Sequence, residues 1–242
     1  MIEPVTEPLP QDDQNRRTVA RGLGGVVDQL DGLCELVLVR HGQQETLDYG
    51  VVGRGSRYDP GLSERGTKQA EAVAERLAST KVDAVYTSPL ARARSTANAI
   101  AGRHDLVPIV KDDLSELNLW GQLSPDANIA DLYTREDIDE FWLASMTARK
   151  YSGFPHVEDM ERFKDRLFAA IGRIASAHAD ERVVITCHGG VVNGFLARIF
   201  KSPLDVLVAV RNASITVAQC GEDRAPVVLT VNETSHLNGL DD

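Results

Sequence analysis

The sequence lacks features that would place it among membrane, secreted or disulfide-bonded proteins. Its apolar runs are shorter than the roughly 18 residues that cross a bilayer, and its N-terminus lacks a signal peptide's basic-then-apolar pattern. Cys34, Cys187 and Cys220 form no CxxC pair, which indicates neither a disulfide framework nor a cysteine-rich zinc site. We therefore expect a cytoplasmic protein that does not bind a membrane, with isolated buried thiols.

Positive charge is also in short supply, because 26 Lys and Arg residues face 36 Asp and Glu residues, for a formal net charge of −10. Such a surface repels a polyanion, so nucleic acid is not an expected partner. A small anionic ligand in a local pocket stays compatible with this balance. The 242 residues are 43% hydrophobic and 26% charged, as in a soluble globular protein.

Residues 1–34 are predicted to precede the folded domain, which then spans residues 35–242. Residues 1–21 are rich in proline, acids and amides and hold too little apolar material to offset the entropy of ordering them, so we expect a disordered tail. Gly22, Gly24 and Gly25 follow, but no strand precedes them and no Gly-Lys-Ser/Thr follows. This pattern favours a linker or short helix over a nucleotide-binding loop.

Apolar runs typical of strands then alternate with segments of helical spacing. ELVLV, from Glu35, is typical of a strand that is buried on both faces. Ser63 is expected to cap a helix that runs to about Ala78, and Ser88 to cap another with Pro89 at its first position. The other predicted elements are the strands VDAVYTS, VVITC, SITVAQC and PVVLTV and helices over about 158–177 and 190–200. This rhythm predicts an α/β three-layer sandwich, with a mostly parallel central sheet and helices on both faces.

A polar segment from about residue 125 to 155 interrupts this rhythm. It is expected to be helical and to fold as an insertion over the core and its pocket, with Phe141, Trp142 and Met146 as its contacts. The histidines outside the two strand ends described next are expected to be structural or exposed. His156 is the exception, because the insertion could bring it to the pocket.

Two predicted strands run directly into a His-Gly pair, at His41 in VLVRHG and at His188 in VITCHGG. The ligand crevice of an open parallel sheet lies at the carboxyl ends of its strands, so both imidazoles are expected at one mouth if both strands are central. Gly189 opens a predicted helix, whose free amides and dipole favour an anion. A single histidine at a strand end is more often structural than catalytic, but two with nearby arginines favour a ligand site.

Two arginines add positive charge to this mouth. Arg40 ends an apolar strand, where an unpaired charge is costly to desolvate, and this cost favours an anionic partner. Arg92 lies near the start of its predicted helix, where the dipole disfavours a cation by roughly 0.3 to 1 kcal/mol unless an anion sits there too. A structural pairing of Arg92 with an acid explains that placement equally well.

LVRHG resembles the signature of the histidine phosphatase superfamily, which is the phosphoglycerate mutase-like family. Further segments resemble motifs of that family in the same order: LSERGTKQA, YTSPLARARSTA, LSELNLWGQL and VVITCHGGVV. Together they span about residues 35–232, so the resemblance covers all of the chain beyond its tail.

The resemblance implies a metal-independent phosphomonoesterase that acts through a phosphohistidine on His41, with no cofactor. A neutral imidazole is a competent nucleophile toward phosphorus. Arg40, Arg92 and a protonated His188 would hold the non-bridging oxygens of the phosphoryl group. Glu116 falls where the family has its general acid. The competing carboxylates are Asp112, Asp113 and Glu158.

The loop after LVRHG departs from the family pattern of Glu or Gln, then Thr, then Asn. Gln43 remains a candidate substrate contact, whereas Leu47 cannot donate the hydrogen bond that an asparagine would. Arg54 and Arg57 would bind a second charged group on the substrate or lie on the surface. The identity of the phosphorylated substrate therefore stays open.

Two alternatives share these residues. Mutases of the family tend to carry Asn after the second His-Gly and a larger insertion around the acid, whereas this chain has Gly190 and a compact LSELNLWGQL, which favours a phosphatase. A phosphoglycerate mutase-type phosphotransferase and a non-catalytic phosphate-binding module remain the alternatives. The expected partner is a small phosphorylated substrate, and a homodimer stays open.

Overall fold

A mixed six-stranded sheet forms the centre of the computed structural model, which describes residues 32–46, 59–222 and 224–240. The strands are β1 (Cys34–Arg40), β2 (Ala84–Thr87), β3 (Ile109–Val110), β4 (Arg182–Cys187), β5 (Ile215–Gly221) and β6 (Arg224–Glu233). Their order across the sheet is β3-β2-β4-β1-β5-β6. The first four of these are parallel, whereas β5 runs antiparallel to β1 and β6 antiparallel to β5.

The helices of the described residues are α1 (Glu64–Ala78), α2 (Ala91–Ala101), α3 (Arg135–Ala148), α4 (Met160–Ser176) and α5 (Gly189–Ile199). Side chains alternate along β1, so Val37 and Val39 pack with residues of α1 and α2, whereas Leu36 and Leu38 pack with residues of α4 and α5. Helices therefore cover both faces. The predicted α/β sandwich with helices on both faces is confirmed.

Strand pairing brings the two His-Gly sequences together. β1 lies beside β4 in parallel, with Arg40 paired to Cys187. The residues that follow, His41 and His188, therefore leave the sheet at the same edge, and the backbone N–H of His41 still donates to the Cys187 carbonyl at 3.0 Å.

The two predicted helix caps differ in outcome. Ser63 caps α1 as expected, since its hydroxyl accepts the N–H of Gly66 at 3.0 Å. The prediction that Ser88 caps α2 is wrong, because the N-cap is Leu90 and the first helical residue is Ala91. The hydroxyl of Ser88 is directed to a histidine ring instead, as described below.

The insertion forms helix α3, which begins with a capping box between Thr134 and Asp137. Phe141 packs on the ring of Phe154, as predicted. Trp142 also contacts Phe154, with ring centroids 4.9 Å apart, yet it is 41% exposed. Met146 is also 41% exposed, so less than half of this part of the apolar face remains open to solvent. An amphipathic pattern does not identify which part of its apolar face is covered.

Strand β1 begins at Cys34, one residue before the expected domain boundary, and the predicted tail over residues 1–21 lies outside the described residues. Cys34, Cys187 and Cys220 are buried and free, and burial raises the pKa of the Cys34 and Cys220 thiols to about 12. Within the described ranges, no helix is both long and apolar enough to span a membrane.

Candidate active site

The rings of His41 and His188 meet at the carboxyl edge of β1 and β4. Their centroids are 5.0 Å apart, and the two residues are 3% and 0% exposed. The loop that precedes β5 also positions His41, because Asn212 Nδ2 donates to the His41 carbonyl at 3.1 Å. The position of the two imidazoles is therefore set by backbone bonds as well as by packing.

Hydrogen bonds determine the tautomer of His41. Its Nδ1 lies 2.6 Å from the Gly42 carbonyl oxygen. A carbonyl only accepts, so Nδ1 carries the proton and Nε2 carries the lone pair. Arg92 Nε–H donates to that Nε2 at 3.2 Å. Burial, then the charges of Arg92 and Arg40, hold the pKa of His41 well below its usual 6.5, so the ring is neutral at neutral pH.

His188 is held by its other ring nitrogen. Its Nε2 lies 2.7 Å from Ser88 Oγ, and its Nδ1 is buried with no hydrogen-bond partner in the described part of the chain. Burial, then the charges of His41, Arg92 and Arg40, keep the pKa of His188 well below 6.5. The lowered pKa favours a neutral His188 in the free site, whereas the protonated ring was expected with a phosphoryl group bound.

Arg40 has one anchored nitrogen and one without a partner. Its Nη1 donates to the Val210 carbonyl at 2.5 Å, whereas its Nε is buried and unpaired within the described ranges. The loop that carries Val210 is tied to α5 by Asn193, whose Oδ1 accepts the N–H groups of Leu207 and Val208. Buried polar groups in proteins are nearly always paired, so the Nε of Arg40 indicates a place for a ligand atom.

Arg92 lies in the first turn of α2, where the sequence predicted a need for an anion. Asp59 supplies one: its carboxylate accepts the Ala91 N–H at 2.9 Å and lies 3.6 Å from Arg92 Nη1. Thr96 adds rigidity, since its hydroxyl donates to the Arg92 carbonyl and accepts the Gly42 N–H. The structural pairing and the contact with His41 therefore coexist in this arginine.

Glu116 lies against the start of α5. Its Oε1 accepts the Leu117 N–H at 2.9 Å and its Oε2 accepts the Gly190 N–H at 3.2 Å. Desolvation raises the pKa of this carboxyl, although the two amides and the charges of Arg92 and Arg40 act against that rise. A Cβ built on Gly190 would overlap Glu116 Oε1, so the glycine leaves room for the carboxylate.

The competing carboxylates have other roles. Glu158 accepts the Asn118 N–H at 2.7 Å, and Asp113 pairs with Arg173 at 2.5 Å. Asp112 is exposed at the start of a short 3-10 turn. The charges of Arg92 and Arg40 both act on the pKa of Glu116.

The other residues predicted to contact the substrate do not bond to the two histidines or the two arginines in the described part of the chain. Gln43 bonds within the loop, because its N–H donates to Gln69 Oε1 and its side-chain oxygen accepts from Ser63 Oγ at 3.1 Å. Gly189 opens α5, where a Cβ would lie 3.7 Å from Arg40 Nε, an ordinary contact distance. The predictions for Arg54, Arg57 and Leu47 lie outside the described residues.

The sequence analysis did not assign several residues that lie at or near the site. Ser88 was assigned to a helix cap, and Asp59 gave no local signal because its partners are 32 and 33 positions away. Tyr151, in the insertion, lies close enough to Glu116 for that charge to raise the pKa of its phenol further, beyond the larger effect of burial. His156 bonds Tyr133 Oη at 2.8 Å inside an aromatic cluster rather than joining the two catalytic candidates.

Within the described residues, no cluster of three or more His, Cys, Asp and Glu side chains has the arrangement of a metal site. The positive charge of the site comes from Arg40 and Arg92. The other groups around it include the two imidazoles, the Glu116 carboxyl and the Asp59 carboxylate beside Arg92. This set suits an anion with several oxygen atoms.

Comparison with known proteins identifies the family. The model of the histidine phosphatase superfamily (branch 1) matches residues 36–234. The chain belongs to the histidine phosphatase superfamily. Our sequence-based prediction of that family is therefore confirmed.

Relatives in this superfamily include phosphatases. The chain is 30% identical over 215 residues to a metal-independent phosphoserine phosphatase of Arabidopsis thaliana, covering 86% of this chain and 85% of that protein. It is 29% identical over 210 residues to phosphoserine phosphatase 1 of Hydrogenobacter thermophilus, covering 85% of this chain and 95% of the other. The predicted phosphatase assignment is supported by these relatives.

A solved structure extends the likeness to three dimensions. A mycobacterial glucosyl-3-phosphoglycerate phosphatase with bound VO3 matches with a TM-score of 0.62 and 26% identity, over 83% of this chain and 99% of that one. The predicted fold class is thus found in a relative of nearly the same extent.

Proposed function

We propose that this protein hydrolyses a small phosphomonoester through a phosphohistidine on His41, without a metal ion. The observation that supports this most directly is that a nucleophilic lone pair and two unpaired polar atoms lie around the same site. His41 Nε2 carries the lone pair, while Arg40 Nε and His188 Nδ1 lie buried without partners in the described part of the chain. A phosphoryl group would satisfy both donors and take the place of the Arg92 Nε–H at the Nε2 lone pair.

In the first step, the lone pair of His41 Nε2 attacks phosphorus and the ester P–O bond breaks. The Nδ1–H bond to the Gly42 carbonyl keeps the ring oriented and stabilises the positive charge that develops on it. Arg40 and Arg92 neutralise the non-bridging oxygens in the transition state. The leaving alkoxide takes its proton from the Glu116 carboxyl, whose pKa is raised by desolvation.

In the second step, water attacks the phosphorus of the phosphohistidine. The ionised Glu116 removes a proton from that water, the N–P bond breaks, and inorganic phosphate leaves with His41 neutral again. Glu116 therefore returns to its protonated form, so the cycle consumes only ester and water. The site needs no other acid or base for this sequence.

For the substrate, we propose a phosphorylated three-carbon acid of the phosphoserine or phosphoglycerate kind. The support is that two relatives are named phosphoserine phosphatases and a third is named for a phosphoglycerate ester. A net charge of −10 on the whole chain makes a local cationic pocket the place where such an anion would bind.

The experiment is phosphate release, without added metal, from phosphoserine, 3-phosphoglycerate, a nucleoside monophosphate, a sugar phosphate and p-nitrophenyl phosphate. We expect the highest kcat/KM with the phosphorylated three-carbon acids and loss of all turnover in His41→Ala. His178→Asn is the matched control, because His178 bonds Tyr86 and Glu181 away from the site.

Other outcomes would separate the alternatives. Conversion of 3-phosphoglycerate to its isomer without phosphate release would replace the phosphatase by a mutase. Tight phosphate binding with no turnover of any ester would favour a binding module. Equal kcat/KM across the panel would contradict the substrate class while leaving the phosphatase proposal intact.

A further inference from the structure

Ser88 holds a position that neither the predicted helix cap nor the proposed chemistry explains. It is 0% exposed and follows β2, where its N–H donates to the Thr186 carbonyl at 3.1 Å. Its hydroxyl oxygen lies 2.7 Å from His188 Nε2. Two buried polar side chains from different strands therefore meet behind the site.

The proton of this hydrogen bond can be assigned from the neighbours of Ser88. Its oxygen accepts the Leu90 N–H at 3.3 Å, which leaves the hydroxyl proton to be donated. A hydroxyl has one proton and two lone pairs, and within the described residues the only acceptor that Ser88 Oγ meets is His188 Nε2. A donating Nε2–H would leave the Ser88 hydroxyl proton without an acceptor among the described residues, so Ser88 donates and Nε2 of His188 accepts.

This direction decides the state of the other ring nitrogen. A neutral imidazole with an accepting Nε2 carries its proton on Nδ1. That Nδ1 is buried and has no partner among the described side chains and backbone, on a ring whose centroid is 5.0 Å from that of His41. The opposite tautomer would present a lone pair where an anion binds.

We propose that Ser88 is a positioning residue that fixes neutral His188 in its Nδ1–H tautomer, so that Nδ1–H becomes a permanent hydrogen-bond donor to the substrate's phosphoryl group. The second half of this statement rests on the proposed phosphatase function. The first half concerns the free protein alone.

Charge balance favours a neutral donor at this position. Arg40 and Arg92 bring two cations into the site, where Asp59 lies 3.6 Å from Arg92 Nη1, and a further buried charge on His188 would be costly to desolvate before the substrate arrives. A preoriented N–H contributes to binding without that cost. The site would thus meet a phosphoryl dianion with two charges and one fixed dipole.

The tautomer can be measured directly by long-range ¹⁵N–¹H NMR of the ligand-free protein at neutral pH. For His188 we expect a protonated Nδ1 and an unprotonated Nε2. Ser88→Ala should lose this preference and bind orthovanadate about tenfold more weakly, the loss typical of one hydrogen bond to a charged group. Ser88→Thr keeps the hydroxyl and should bind within about threefold of wild type.

Thr87→Val is the matched control. Thr87 is equally buried and its hydroxyl donates to the Ser88 carbonyl, without contact to His188. We expect Thr87→Val to lose a buried hydrogen bond but to keep the wild-type tautomer and vanadate affinity. Thermal unfolding of each variant shows whether it folds, and the wild-type spectrum tests the proposal even if a variant does not.

The outcomes separate this inference from the proposed function. A wild-type His188 protonated on Nε2 would overturn it, and so would a Ser88→Ala variant with unchanged tautomer and vanadate affinity. If the tautomer and its loss in Ser88→Ala are as expected but no phosphomonoester is hydrolysed, the proposed function fails and the assignment of Ser88 stands.

Discussion

The two histidine-bearing strand ends each carry His-Gly after a buried strand but offer opposite ring nitrogens. His41 donates its Nδ1–H to its own neighbour, the Gly42 carbonyl, and leaves Nε2 with a lone pair. His188 bonds Ser88 through Nε2 and leaves Nδ1 without a partner in the described ranges. In the proposed mechanism, one strand end provides the nucleophile and the other provides a hydrogen-bond donor. The hydrogen-bond partner of each ring, rather than the His-Gly motif, determines which ring nitrogen faces the site.

The largest expected effect is the loss of kcat when either histidine is replaced by alanine. His41→Ala should lower kcat by at least about 10⁴-fold, because the nucleophile is removed, whereas His188→Ala should lower it by about 10² to 10³-fold, because a stabilising donor is removed. Rapid-quench labelling with radiolabelled substrate checks the difference. His188→Ala should still form a covalent phosphoenzyme, and His41→Ala should not.

Glu116→Gln should reduce kcat/KM by about 10² to 10³-fold for phosphoserine but far less for p-nitrophenyl phosphate, since kcat/KM reports the phosphorylation of His41 and an aryloxide leaves without protonation. Steady-state kinetics with both esters measure this split. Glu158→Gln is the control, because Glu158 accepts a backbone N–H of Asn118 instead. Equal losses of kcat/KM for the two esters would mean that Glu116 does not protonate the leaving group.

A pair of adjacent glycines at the His188 end gives a smaller, geometric test. Gly190→Ala should displace Glu116 and lower kcat for phosphoserine by about 10- to 100-fold, because its Cβ would overlap Oε1. Gly189→Ala adds the same methyl group 3.7 Å from Arg40 Nε, where there is room, so it should cost less. The reverse order would refute our explanation of Gly190.

The smallest expected effect is on stability. Burial lowers the pKa of His41 and His188 below 6.5, so as pH falls below 6.5 the unfolded chain takes up protons that the folded state does not. The free energy of unfolding should therefore fall with pH, by up to about 1.4 kcal/mol per pH unit for each histidine. Urea unfolding at several pH values measures the slope, and replacing both rings by glutamine should reduce it. An unchanged slope would contradict the lowered pKa values.

Local patterns predicted the parts of the fold that depend on local physics. The apolar run of β1, the Ser63 cap and the helical spacing of α1 all appeared where expected, because strand burial and cap bonds involve residues close in sequence. The predicted start of α2 was wrong because Ser88 also contacts a residue that is distant in sequence. Ser88 resembled a cap, but a histidine 100 positions later lies within hydrogen-bond distance of its hydroxyl.

The candidate site likewise contains residues that local patterns identified and residues that only tertiary contacts reveal. His41, Arg40, Arg92 and His188 were found because charged and titratable residues at strand ends and helix starts stand out against apolar neighbours. Asp59 and Asn193 were not found, since an acid in a loop and an amide in a helix have no distinctive pattern. Their contacts exist only once distant segments pack.

The sequence by itself thus determined that two buried strands end in histidines and that arginines stand near them. Periodicity and the cost of burying charge are local properties of the chain. The tertiary structure decided which partner the ring nitrogens of His41 and His188 meet, that Glu116 fits against Gly190, and that burial lowers the pKa of His188. Those properties depend on desolvation and on single hydrogen bonds between segments, which exist only when the sheet and its loops have closed around the site.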